Sequence, residues 1–267
     1  MSEKSEPFAI RPARPSDYQE FAKLIVELDV PDPVPSETVF LEKFLPSMLV
    51  DASGDQVRGY VYFVASAPIG GIRNLVVAPS ARGQKRGLAL MQAAARALAA
   101  SGCTQWNLFV KPANLVAIAL YEKLGMQRGK LATIVRFESP LTTNVTLECA
   151  ELTSGDDEFA HALEVSPATL AQHRGPSPIV IFGARNASKE PVGWLALDPR
   201  RPLVLFAKTR SAADLSALLC ACARHCAGVW PKVVAHDPEL HAQLLELGAI
   251  KLLETLEFTG ALPPKLP

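Results

Sequence analysis

The sequence lacks the features of several classes of protein. Its 27 basic and 27 acidic residues leave no net charge, so no long-range field would draw the chain to nucleic acid or to an anionic membrane. No uncharged apolar stretch approaches the ~20 residues that cross a bilayer, and the opening MSEKSEPF has no apolar signal core. We therefore expect a cytoplasmic protein with neither nucleic acid nor a membrane as partner.

Cysteine and histidine are too few and too scattered for a metal site or a hydrolytic triad. The five cysteines are an odd number without the spacing of a disulfide framework, which suits thiols in a reducing compartment. Cys220, Cys222, Cys226 and His225 fall on one predicted helix, but residues two apart point to different faces and cannot share a metal. All five histidines lie in the second half, with no serine or cysteine motif beside them. The sequence predicts no metal.

Residues 72–91, IRNLVVAPSARGQKRGLALM, join an apolar strand to a basic, glycine-containing turn. The buried run of the strand is Leu75, Val76 and Val77. Pro79 ends the strand because it has no N–H to donate. The sequence after Gly87 has high helix propensity, so the turn lies at a helix N-terminus, where free N–H groups and the helix dipole favour an anion such as phosphate.

The turn supplies the candidate phosphate-binding residues. They are Arg82, Gly83, Gln84, Lys85, Arg86, Gly87 and Leu88. The two glycines let the backbone approach a ligand closely. The three basic side chains are either solvated or in contact with phosphates, and we expect at least one of them to make that contact. Taken alone, the stretch fits a strand, a solvated turn and a core helix equally well.

A second stretch, residues 114–126, has the sequence NLVAIALYEKLGM and predicts a helix. Asn114 is the expected N-cap, Gly125 the residue that ends the helix, and Tyr121 lies on the apolar face. Together, the two stretches resemble the acetyl-CoA-binding core of the GNAT acetyltransferases, over roughly residues 8–138. The family usually has Arg-Gly-x-Gly-x-Gly in the turn, whereas here Lys85 replaces the middle glycine, and we expect its side chain to project outward.

The resemblance implies an α/β fold with a mixed central sheet flanked by helices. It implies an N-acetyltransferase that uses acetyl-CoA as co-substrate without a metal and acetylates an amine of a small molecule, peptide or protein. The strands ending at Val77 and Val110 would run parallel and separate, with pantetheine between them, and a backbone N–H near Val77 would stabilise the oxyanion. Tyr121 would face the departing sulfur, although a core aromatic remains the alternative. The implied cofactor-binding residues are Leu75, Val76, Val77, Arg82, Gly83, Gln84, Lys85, Arg86, Gly87, Leu88 and Asn114.

The general base is left unassigned by the sequence. Many relatives have a glutamate beside the central strand, but here that strand reads Arg73-Asn74-Leu75. The acids in the segments that should flank the acceptor are Asp29, Asp32, Glu37 and Glu42. The missing glutamate and Lys85 leave a second interpretation open, a catalytically silent protein that binds acyl-CoA or acts as a scaffold. The sequence predicts neither the acceptor nor the oligomeric state.

The second half resembles a degenerate copy of the first, which predicts two tandem GNAT-like domains, 1–140 and 147–267, joined by a polar link. Asp237 to Gly248 follow Asn114 to Gly125 at a constant offset of 123 residues. The copy has Thr209-Arg-Ser-Ala-Ala in place of the glycine turn and Leu244 in place of Tyr121, so we expect a structural or acceptor-binding role. An unrelated α/β domain remains the alternative. We also expect Thr133–Phe137 to close the first sheet.

Overall fold

The computed structural model describes residues 9–30, 33–53, 56–152, 156–166 and 179–262. Asp32, one of the acids that the sequence places near the acceptor, lies outside these residues. The chain forms two compact units, one from Met1–Gly129 with Leu256–Pro267 and the other from Lys130–Thr255.

Both helices and strands occur in each part of the chain, as an α/β fold requires. The strands are β1 (Ile10–Pro12), β2 (Met48–Ser53), β3 (Gln56–Ser66), β4 (Ile69–Val77), β5 (Gln105–Val110), β6 (Gln127–Arg136), β7 (Glu148–Glu151), β8 (Val180–Arg185), β9 (Pro191–Asp198), β10 (Leu203–Thr209), β11 (Lys232–Ala235) and β12 (Ile250–Ala261). The helices are α1 (Tyr18–Ile25), α2 (Glu37–Val39), α3 (Arg86–Ala100), α4 (Leu115–Lys123), α5 (Asp156–Ala162), α6 (Ala212–Ala223) and α7 (Pro238–Glu246). None of the described helices has the length and hydrophobicity needed to span a bilayer.

In the first unit, β1 to β5 lie side by side in chain order, and the final residues of β12 follow β5. β1 to β4 pair antiparallel, with β2, β3 and β4 forming a meander, and β4 pairs parallel with β5. Gly59 of β3 allows α3 to pack closely, because a Cβ there would lie 2.7 Å from the Val76 carbonyl oxygen and 3.2 Å from Leu90. The two helices α3 and α4 bury Leu90, Trp106 and their neighbours on one face of this sheet, and α1 covers the other face.

The prediction that residues 133–137 close the first sheet is wrong. Val135 of β6 pairs with Val233 of β11 in the second unit, while Leu256–Ala261 of β12 pairs with β5 in the first. Val135 is fully buried in the core of the second unit. The two units therefore divide the chain at Gly129 and Leu256, and the polar link at residues 139–146 does not separate them.

The second unit has the sheet order β6-β11-β10-β9-β8-β7, and β10 and β11 form its parallel pair. The helix α7 begins and ends 123 residues after α4, at Pro238 and Glu246. Both helices have a side-chain N-cap, Asn114 in one and Asp237 in the other. Both are followed by a glycine with positive φ. The predicted repeat is therefore present as matching secondary structure.

Candidate active site

The parallel pair at the centre of the first unit is hydrogen-bonded over only part of its length. The pairing of β4 with β5 runs from Ile69 and Gln105 to Gly71 and Asn107. Both strands continue beyond this point, β4 to Val77 and β5 to Val110, without a further β4–β5 pair among these described residues. The predicted parallel arrangement is confirmed, and an opening between two strand ends is where an extended ligand can add as a strand.

A β-bulge interrupts the pairing of β4 with β3, at the start of the part of β4 that is not paired with β5. Tyr62 of β3 pairs with Asn74 and the next residue, Phe63, pairs with Ile72, so Arg73 is the extra residue. Beyond the bulge, Leu75 and Val77 contribute to the core under α3 and α4, whereas Val76 belongs to the core on the α1 side. The side chain of Val76 therefore faces away from α3, and only its backbone can line this side of the opening.

The turn after β4 keeps the conformation that a glycine-rich motif would adopt. Gly83 has a φ of 77°, and Lys85, the residue before α3, has a φ of 61° and a ψ of 12°. Lys85 is exposed, as predicted. A left-handed backbone is unfavourable for a residue with a Cβ, so Lys85 accepts local strain where glycine would have none.

We expect Lys85→Gly to stabilise the protein by about 1 kcal/mol, because glycine adopts this backbone conformation without strain. Urea unfolding would measure this as a higher midpoint with an unchanged slope. Lys85→Ala is the matched control, since it removes the charge and keeps the Cβ. Equal midpoints for the glycine and alanine variants would contradict the strain.

The start of α3 meets the end of β4 and the body of α4 at Gly87. The first bond of the helix runs from the Ala89 N–H to the Lys85 carbonyl, at 3.1 Å, so the N–H groups of the first turn precede the helical ladder. A Cβ on Gly87 would lie 3.5 Å from Leu120 of α4 and 3.8 Å from Val77. The structure thus brings together the strand end, the turn and the second helix that the sequence singled out.

The basic residues of the turn have different partners. Arg82 donates from Nε to the Val77 carbonyl at 3.1 Å and from Nη2 to Glu27 at 2.7 Å, and its side chain is about half exposed (55%). The prediction that places the Arg86 side chain among the phosphate contacts is wrong. That side chain is buried, and its Nη1 lies 2.6 Å from Asp51 Oδ2. Arg86 precedes the buried Leu90 by four residues, so the helical period of α3 already places it on the inner face.

The second predicted helix, α4, holds Asn114 and Tyr121. Asn114 Oδ1 accepts a hydrogen bond from the Ala117 N–H at 3.1 Å, as expected of an N-cap. Tyr121 is 6% exposed, and its ring centroid lies 5.6 Å from that of Phe258. Its hydroxyl makes no hydrogen bond to the described residues. Burial raises the pKa of Tyr121 to about 12, so the phenol is neutral and can donate at ordinary pH.

Residues 17–126 match the family model described as "Acetyltransferase (GNAT) family". The matched residues lie in the first unit, which therefore carries the sequence pattern of a GNAT-family domain. Three solved structures share the fold over nearly the whole chain. They are a GCN5-related N-acetyltransferase from Sphaerobacter thermophilus (TM-score 0.65, 15% identity, covering 97% of each chain), a tandem GNAT protein from the clavulanic acid biosynthesis pathway (0.55, 16%, 97% of this chain and 100% of that one) and a GCN5-related N-acetyltransferase from Anabaena variabilis (0.53, 16%, 96% and 73%). No curated protein matches the sequence.

The acids of the GNAT domain that the sequence suggested as bases are poorly suited to that role. Asp29 lies 2.8 Å from the ammonium of Lys111, which also donates to the Asp29 carbonyl. This hydrogen bond and the positive charge of Lys111 hold the pKa of Asp29 below its usual range, so the carboxylate is a weak base. Glu37 and Glu42 are exposed. The base remains unassigned.

Two contributors to the GNAT domain escaped the sequence reasoning. Phe258, which packs on Tyr121, comes from the end of the chain, and no local pattern connects it with α4. Asp51, the partner of Arg86, is not among the site residues predicted from the sequence. An acid within an apolar strand, MLVDAS, was the available signal, since a buried carboxylate needs a cationic partner.

The corresponding place in the second GNAT-like unit is filled by its own side chains. Thr209 at the end of β10 donates from Oγ1 to Gln243 Oε1 at 2.7 Å, and Gln243 Nε2 donates to the Thr209 carbonyl at 3.3 Å. Lys208 pairs with Glu239 across the same space. At the start of α6, the N–H of Asp214 donates to Ser211 Oγ at 3.1 Å, and the acid occupies the first turn. An acid at this helix start disfavours an anionic ligand.

Proposed function

We propose that the chain is an N-acetyltransferase that moves an acetyl group from acetyl-CoA directly to an amine of a small molecule, peptide or protein. One observation carries the proposal: the unpaired end of β4, the start of α3 and the Tyr121 helix all meet around Gly87. The GNAT family match supports the reaction class, and the acceptor remains open.

Acetyl-CoA would bind with its pantetheine between β4 and β5 and its diphosphate at the turn. The backbone N–H groups of Arg86, Gly87 and Leu88 supply donors at a helix N-terminus. Arg82 and Lys85 supply exposed positive charge. Gly83, Gln84 and the N-cap Asn114 complete the proposed set, with Leu75, Val76 and Val77 lining the strand side. Direct transfer of this kind needs no metal.

The chemistry has three requirements. The acceptor ammonium must lose a proton to a base or a water relay, because its pKa near 10.4 lies about three units above neutral pH. A backbone N–H near Val77 would stabilise the oxyanion of the tetrahedral intermediate. Tyr121 would donate a hydrogen bond to the sulfur as the intermediate collapses.

We expect one CoA to bind per chain, because among the described residues only those of the first unit join a glycine turn to an open strand end. In the second unit, the Thr209–Gln243 bonds and the acid at the start of α6 oppose binding, which suggests a structural or acceptor-binding role. Isothermal calorimetry on the full chain would test the stoichiometry. Gln243→Ala removes the Thr209–Gln243 bonds of the second unit without changing the first unit, and the stoichiometry should remain one CoA per chain. Two equivalent sites in the unmodified chain would overturn the prediction.

A second function, binding of acyl-CoA without catalysis, is favoured by the low pKa of Asp29 and the absence of a glutamate on β4. Thiol release from acetyl-CoA in the presence of a panel of amines separates the two. Amine-dependent release above the hydrolytic background supports the transferase. CoA binding without release across primary, secondary and peptide amines supports the silent binder.

A further inference from the structure

The ion pair between Arg86 and Asp51 is almost completely buried. The two side chains are 2% and 1% exposed, and Nη1 lies 2.6 Å from Oδ2. The other carboxylate oxygen, Oδ1, is buried without a hydrogen-bond partner among the described residues. Removing two charges from water is costly, and a buried pair seldom repays that cost in stability. A role in fixing local structure is therefore the better account.

The pair joins the proposed phosphate-binding turn to the sheet. Arg86 is the first residue of α3, and its Nε also donates to Gln84 Oε1 in the turn at 3.1 Å. Asp51 lies on β2 opposite Gly59, beside a bulge at which Arg58 is the extra residue. One planar guanidinium thus connects the turn, the helix start and an inner strand. A lysine has no such fork of donors.

The residue between these contacts is the strained one. Lys85 holds a φ of 61° directly before Arg86. Strained backbone persists only when the surrounding structure holds it in place. The buried contacts of Arg86 supply such a restraint from beneath the turn.

We propose that Arg86 is a positioning residue, whose buried pair with Asp51 holds the turn so that the N–H groups of Gly87 and Leu88 face the diphosphate of CoA. The inference rests on the proposed function. It predicts that losing the fork harms recognition of the diphosphate end of the ligand and spares the pantetheine end, which lies against the strands.

The test uses the full chain with Arg86→Gln and Asp51→Asn together, so that no buried charge is left alone. Calorimetry would measure the affinities for CoA and for pantetheine. We expect the CoA affinity to fall by ~10-fold or more and the pantetheine affinity to change by less than ~3-fold. The matched control is Arg11→Gln with Asp17→Asn, a second Arg–Asp pair in the same unit, at 2.7 Å. It should leave the ratio of the two affinities unchanged.

Hydrogen exchange on the ligand-free protein provides an independent readout. Amides of residues 83–88 should exchange ~10-fold faster in the neutral variant than in the parent, and the control pair should not alter them. If the neutral variant does not fold, Arg86→Lys replaces it in the affinity and hydrogen-exchange measurements, since lysine keeps the charge but lacks the forked guanidinium.

A folded variant with the parent's affinity ratio, or with unchanged exchange in the turn, would overturn this inference alone. An unmodified chain that binds neither CoA nor pantetheine would overturn the proposed function together with it.

Discussion

Replacing Tyr121 by phenylalanine is expected to lower kcat by ~10-fold to 1,000-fold and to leave acetyl-CoA affinity within a few-fold. The ring packs against Phe258 and is almost fully buried, so phenylalanine keeps its place. Only the hydroxyl is lost, and with it the proposed hydrogen bond to the sulfur. Steady-state rates with a good acceptor, together with calorimetry, would measure both quantities.

The raised pKa of Tyr121 bears on how the hydroxyl acts. With that pKa at about 12, full proton transfer to a thiolate whose acid has a pKa near 8.5 would cost ~5 kcal/mol. A hydrogen bond in the transition state avoids most of this. Because burial raises the pKa, the donating form persists above pH 10. A fall in rate centred near pH 10, present in the parent and absent from the phenylalanine variant, would mean that Tyr121 ionises at its usual pKa. That result would contradict the effect of burial on its pKa.

Tyr60→Phe is the matched control for this substitution. Tyr60 is also buried in the first unit, and its burial also raises the pKa, but it lies in the core on the α1 side of the sheet. Its hydroxyl has no hydrogen-bond partner among the described residues. Its removal should not change kcat. If Tyr121→Phe behaves in the same way while chemistry limits the rate, Tyr121 is a packing residue.

The second large effect is expected from Gly87→Glu, which should weaken CoA binding by at least ~100-fold. A side chain at this position starts beside Leu120 and Val77, within the proposed binding site, and glutamate adds a negative charge where the diphosphate is expected. The same charge in the first turn of a helix is favourable for the fold, so unfolding is not expected. Calorimetry and thermal denaturation would separate the two effects.

Gly87→Ala provides the control for bulk. Its Cβ would meet no atom closer than 3.5 Å, so the variant should fold and retain most of its affinity. Binding of CoA to the glutamate variant at the parent's affinity would remove the turn from the proposed site.

The parts of the site that were predictable depend on short-range signals. The meander, Pro79 as the strand end, and the capped helix from Asn114 to Gly125 each follow from residues within one element or its flanks. The burial of Arg86 could be predicted from the helical period of α3, but the basic composition of the turn favoured a phosphate contact instead. The pairing of β5 with β12 could not be predicted, because strand pairing between distant segments gives no signal in the sequence of either strand.

The pairing of β5 with β12 determines when the first unit can be completed. Val110 pairs with Leu256, about 150 residues further along the chain, and at about 5–20 residues per second the ribosome needs roughly 7–30 s to make that interval. Until then, one side of β5 is an edge with unpaired backbone groups, open to pairing with another chain. Domains usually form in order from the amino terminus, but the first unit of this protein cannot be completed until the residues of the second unit have been made.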